Sequence, residues 1–247
     1  MHFVADFLGT IPFNPPTNFA ANEQIILRFI HFLAGITWVG LLYFFNLVNV
    51  PFMKEIDAPT KGKVVPSLMP KALWWFRWGA VVTVLAGIFY WSQIVGSDAR
   101  NAGLNPGALF GSFYGIWTIA FIFIMGLIMM LNDGRLLALG VFIIVTAAAW
   151  MFLSMNSHGW ESNRALSIGI GGGLGWIMMF NVWGVIWRFQ KKIIRWTAEN
   201  AANGTPIPPE AAKMARRAFL ASRTNAWLSL PMLFFMAAAS HYPMFGK

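Results

Sequence analysis

Six long apolar stretches, divided by short polar ones, set the pattern of this chain, at about 25–50, 71–95, 108–131, 135–155, 165–188 and 219–241. A run of about 20 apolar residues spans roughly 30 Å as a helix, the thickness of bilayer hydrocarbon. Backbone in lipid must satisfy its own polar groups, so each stretch predicts a transmembrane helix. Pro51 closes the first stretch, and 52–70 reads as a polar loop holding Lys54, Lys61 and Lys63. GSDARNAGLNPG (96–107) is turn-rich, and Asn132-Asp133-Gly134 predicts a tight helical hairpin. SMNSHGWESNR (154–164) is a short polar loop. In 189–218, KKIIRW continues the fifth helix, AENAANGTPIPP breaks it and EAAKMARRAF restarts it. Pro231 predicts a kink in the sixth. The expected fold is all-α: one bundle of about six transmembrane helices over 25–247, an interfacial N-terminal segment at 1–24 and a basic cytoplasmic loop at 189–218.

Composition agrees, since 57% of the 247 residues are hydrophobic and 11% charged, against about 25% charged in soluble domains. The absence of cysteine excludes disulfides, thiolate metal sites, iron–sulfur clusters and covalently attached c-type haem. Any redox centre in this chain is held by His, Met or non-covalent contacts. A net charge of +9 would point to nucleic acid in a soluble protein. Here the charge follows the membrane. With both termini outside, the inner loops and their flanks hold Lys54, Lys61, Lys63, Lys71, Arg77, Arg135, Arg188, Lys191, Lys192, Arg195, Lys213, Arg216, Arg217 and Arg223. The outer side keeps Arg28, Arg100, Arg164 and Lys247. This positive-inside asymmetry explains the charge with the lipid bilayer as partner and no nucleic acid.

Candidate chemistry centres on His31, an ionisable residue in the first apolar stretch, where such residues mark function by default. Arg28 lies one turn before it and Gly35 one turn after, on the same face. An imidazole, a cation and a notch for a flat group describe a haem edge. A histidine hydrogen-bonded to a neighbouring helix is the competing reading. His2, His158 and His241 fall on the same, outer side. No Asp or Glu lies within a stretch, which argues against a proton-coupled transporter. GIGGGLG (169–175) has no preceding strand, so it is not a dinucleotide fingerprint. Its small-xxx-small spacing predicts close helix packing, with close approach of a macrocycle as the alternative. Asn46 and Asn181, at span depth, predict interhelical hydrogen bonds.

IHFLAGITWVG, PKALWWFRWGA, LGWIMMFNV followed by QKK, and ASRTNAWLSLPMLFFMAAASHYP together resemble the membrane domain of the bacterial cytochrome-c-linked urate hydroxylases, the urate oxidase N-terminal domain family. The first block also resembles the H-x3-G-x2-W-x-G helix of the copper-resistance D and membrane protoporphyrinogen oxidase group, where the histidine is thought to hold b-type haem. The resemblance implies a multi-pass protein of the bacterial inner membrane that oxidises urate and passes electrons to a cytochrome c. With Lys247 as its last residue and no cysteine, the chain is expected to lack the fused cytochrome tail of the family. Trp74, Gly79 and Gly169 stand where the family pattern has His, Glu and His.

Three readings follow. One is a membrane redox protein with b-type haem near the periplasmic face. His31 would be an axial ligand, His241 or His158 the second, and Arg28 a partner for a propionate. A separate periplasmic c-type cytochrome would take the electrons. The next is a non-catalytic accessory subunit of a larger membrane complex. The last is a copper or zinc site built from His31, His158 and His241.

Overall fold

The computed structural model describes residues 15–245; His2 lies outside the described residues. Among the described residues six long helices follow one another along the chain. Helix α1 runs over Phe19–Glu55, α2 over Ala58–Ala102, α3 over Gly107–Met130, α4 over Gly134–Asn156 and α5 over Asn163–Asn203. Helix α6 is Glu210–His241. The first five are long and apolar enough to cross a membrane. Helix α6 is more polar because Thr224, Asn225 and Ser229 interrupt it, and all three are buried against protein.

Several polar segments expected to be loops are helical. Pro51 does not end α1. A π-turn at Phe44–Asn49 precedes it, and the helix continues over Val50–Glu55. The wider turn places the ring, which has no N–H to give, where the usual ladder is already interrupted. The connection to α2 shrinks to Ile56 and Asp57, and the Asp57 carboxylate caps α2 by accepting from Thr60 N at 2.9 Å. Pro66 and Pro70 sit inside α2. At 45 residues this helix is about 67 Å long, more than twice the hydrocarbon thickness. Its first turns project beyond the bundle beside the end of α5, where Gly62 lets Ala201 approach closely. Gly103 and Gly204 end α2 and α5 in the left-handed conformation, at φ +67° and +68°.

The glycine-rich helix is the hub. The most apolar window of α5 is 78% buried inside the bundle, against 17% for α1. Its glycines receive neighbours on three sides. A Cβ at Gly173 would run into the Trp117 indole of α3, and one at Gly169 into the Phe152 ring of α4. At Gly171 it would lie 3.1 Å from the Met232 carbonyl of α6. Protein side chains therefore occupy the space that these glycines leave. The buried asparagines tie helices as expected: Asn181 Nδ2 donates to Asn225 Oδ1 at 2.9 Å, and Asn46 Nδ2 to Ser222 Oγ at 2.9 Å. The end of α6 is pinned to the start of α5 by Asn163, whose Nδ2 donates to the Ala239 carbonyl at 3.1 Å. Its Oδ1 accepts from Met244 N at 2.9 Å.

Candidate functional site

The face of α1 that carries Arg28, His31 and Gly35 lies over α2. Gly87 is the residue that admits the imidazole: a Cβ there would be 2.9 Å from both Cε1 and Nδ1 of His31. The ring therefore rests on the α2 backbone. Its Nδ1 lies 2.8 Å from the Thr83 carbonyl oxygen. A carbonyl only accepts, so Nδ1 carries the proton and Nε2 is left with its lone pair. Among the described residues no hydrogen bond to Nε2 is present. This backbone bond is also the device that orients metal-ligating histidines and raises their basicity. Both readings of His31 thus meet in one geometry: it bonds to the adjacent helix and keeps a ligating nitrogen available.

Beside the ring is a cavity of about 490 Å³ enclosed by α1, α2, α5 and α6. Arg28, His31 and Gly35 line it together, as do Thr83 and Gly87. Gly172 and Gly175 of α5 form part of the wall, so part of the glycine face is left for an occupant. The rest is apolar, with Trp91, Phe113, Met232 and Met236 among its residues. Ile36 and Leu233 also line it and are 73% and 44% exposed, so it reaches the outer apolar surface between α1 and α6. Arg164, which opens α5, supplies a second guanidinium. Arg28 lies over the Tyr90 ring, 5.8 Å from its centroid. Two cations at one end of an apolar chamber suit a flat apolar body with anionic substituents.

The other histidines are placed differently. His241 lines an adjoining cleft of about 480 Å³ with Asp98, Ser162 and Asn163. Arg164, Ala239 and Ser240 border both spaces. His158 stands in the loop before α5, with its side chain 63% exposed and Nδ1 3.2 Å from Glu161 Oε1. It is not among the cavity residues. Among the described residues no group of three or more His, Asp or Glu side chains is placed to hold a metal ion. Sequence reasoning missed Arg164, Thr83 and Gly87. Thr83 and Gly87 are one turn apart on α2, but only the partner helix reveals their use.

A basic, aromatic belt marks the opposite end of the bundle. The Arg77 guanidinium lies 3.9 Å from the centroid of the Trp187 ring and 5.5 Å from that of Trp183. Trp78 packs edge-on against Trp183. Such rings suit a membrane–water boundary.

Comparison with known proteins matches residues 56–247 to the family described as urate oxidase N-terminal. The match takes in the cavity walls from α2, α5 and α6, together with His158 and His241, and begins after Arg28, His31 and Gly35. No curated protein and no solved structure matches the chain. With most of its length matched and its helices long and apolar enough for a bilayer, the chain belongs to the urate oxidase N-terminal family and is a membrane protein of that family.

Proposed function

We propose that this protein is a membrane redox protein that holds b-type haem in the cavity between α1, α2, α5 and α6. It would pass electrons to a separate periplasmic c-type cytochrome. The observation that carries the reading is His31: its Nδ1 is fixed on the Thr83 carbonyl at 2.8 Å, and the ring lines a large apolar cavity. The donor set suits the group. His31 Nε2 would hold the iron, while Arg28 and Arg164 would pair with the carboxylates. Gly35 and Gly172 leave flat wall beside them. When bound, haem supplies one-electron chemistry that no side chain here provides. The protein's own residues orient the imidazole, exclude water with aromatic and methionine side chains, and hold anionic substituents at one end. By its positive-inside charge, that end faces the periplasm of a bacterial inner membrane.

One observation favours an accessory subunit of a membrane complex instead. Gly79 and Gly169, where the family pattern has ionisable residues, are closed by packing. A Cβ at Gly79 would lie 3.4 Å from both the Ala34 carbonyl oxygen and Trp38 Cβ, and Gly169 faces the Phe152 ring. Urate chemistry that uses those groups would be absent from this chain. The absorption spectrum of protein purified from haem-supplied membranes separates the readings. A Soret band in stoichiometric amount supports haem binding. A colourless protein that co-purifies in fixed ratio with other subunits supports the accessory role.

A further inference from the structure

The seam between α1, α5 and α6 contains buried polar groups that the cavity chemistry does not use. Two π-turns flank it, Phe44–Asn49 in α1 and Val182–Trp187 in α5. Both abut one stretch of α6: Asn46 of the first bonds Ser222, and Asn181, the residue before the second, bonds Asn225. Insertions of this kind recur at functional sites. Three carboxamide oxygens here, Asn46 Oδ1, Asn49 Oδ1 and Asn181 Oδ1, are buried without a donor among the described residues. Reversing the Asn46 and Asn181 amides does not help. Asn46 Nδ2 already faces the Leu42 carbonyl at 2.9 Å and the Ser222 carbonyl at 3.4 Å, where an oxygen would be repelled. Asn225 Nδ2 is held by the Met178 carbonyl at 2.9 Å, so its Oδ1 must take the Asn181 amide. Buried acceptors that protein leaves open are ordinarily met by internal water.

These groups form a line. Tyr43 and Asn46 of α1 are tied to Ser229 and Ser222 of α6, and Ser222, Asn225 and Ser229 follow helical spacing on α6. At the cavity end, Tyr43 lines the chamber and its hydroxyl is 2.9 Å from Ser229 Oγ. Ser229 donates to the Ala226 carbonyl at 2.7 Å, so Tyr43 is the donor to Ser229. From Ser229 to Ser222 the line advances about 10 Å towards the basic end.

We propose that this seam holds a file of internal waters that extends from the Tyr43 hydroxyl at the cavity wall towards the basic end and gives protons access to it. The inference is independent of what occupies the cavity. Side-chain amide exchange of the intact protein in D2O, followed by NMR, tests it without any substitution. Asn156 is the internal reference: it is 2% exposed, and its Nδ2 donates to Ser112 Oγ and the Phe152 carbonyl. The Asn46 and Asn181 amides, 4% and 0% exposed, should exchange at least about tenfold faster than Asn156 if water contacts them. Exchange as slow as that of Asn156, or slower, would overturn the proposal.

Discussion

Gly87 and His31 work as a pair, and the pair makes the site sensitive to a single methyl group. Gly87→Ala places a Cβ 2.9 Å from the imidazole, so the ring must leave the Thr83 carbonyl and lose its orientation. If the cavity holds haem as proposed, its affinity should fall by roughly 10–100-fold while helix content by circular dichroism stays unchanged. An unaltered affinity would mean that the Thr83 bond does not orient a ligand. A second residue-scale prediction concerns acid. Asp57 caps α2, and its hydrogen bonds to Thr60 hold its carboxyl below the usual carboxylate value. A depressed folded-state value means that the cap's contribution is complete above the unfolded pKa and is lost as pH falls through the folded one. Asp57→Asn should flatten that part of the acid-unfolding profile, as hydrogen exchange in the first turn of α2 would record. At this scale the sequence was informative where a relation is local. Arg28, His31 and Gly35 stand at i, i+3 and i+7, and the cavity does unite them. Thr83 contributes only a carbonyl, which every residue has, so nothing in the chain distinguishes it beforehand.

At the scale of elements, the inversion of roles between α1 and α5 has a physical cause. Helix α1 carries the most conspicuous residue but lies at the edge of the bundle. Helix α5 is central because its glycines remove the side chains that would hold neighbours away. Gly173→Val therefore drives a branched side chain into Trp117. Overpacking of this kind costs about 1–3 kcal/mol, and a lowered unfolding midpoint in detergent would record it. An unchanged midpoint would show that α3 can retreat freely. Helix existence was legible from apolar runs, but helix ends were not. Pro51, Pro66 and Pro70 punctuate a sequence, yet each lies within a helix here. The first is accommodated by a preceding π-turn. The other two stand four apart, so the backbone groups they disturb cluster in adjacent turns of a segment rich in lysine. Charge and proline mark that segment as leaving the hydrocarbon, which is not the same as leaving the helix.

For the whole molecule, the six-helix arrangement puts both ends of the described chain at the face where α1 begins and α6 ends. The positive-inside expectation puts that face outward. Since the chain has no cysteine, single introduced thiols report topology without background. Asn105→Cys, between α2 and α3, should react with an impermeant maleimide in intact cells, and Thr205→Cys, between α5 and α6, only after permeabilisation. The opposite pattern would invert the molecule and place the cavity arginines at the cytoplasmic face. The sixth helix shows what a hydropathy pattern conveys and what it leaves out. Its polar residues lower its apolar character, and only burial against α1 and α5 explains why they are there. The second arginine of the cavity was hidden for a related reason: Arg164 is 136 residues from Arg28 along the chain, and only the packing of both α1 and α5 against α2 and α6 brings them to one chamber.

In the proposed reading, His31 presents Nε2 to a haem iron inside the bundle. Its most direct test is the absorption spectrum of His31→Gly, recorded before and after adding free imidazole. The account predicts that the Soret band of the wild-type protein is lost or strongly shifted in the variant and restored by imidazole, which fills the vacated place on the α2 backbone. A variant whose spectrum matches the wild type without imidazole would contradict it.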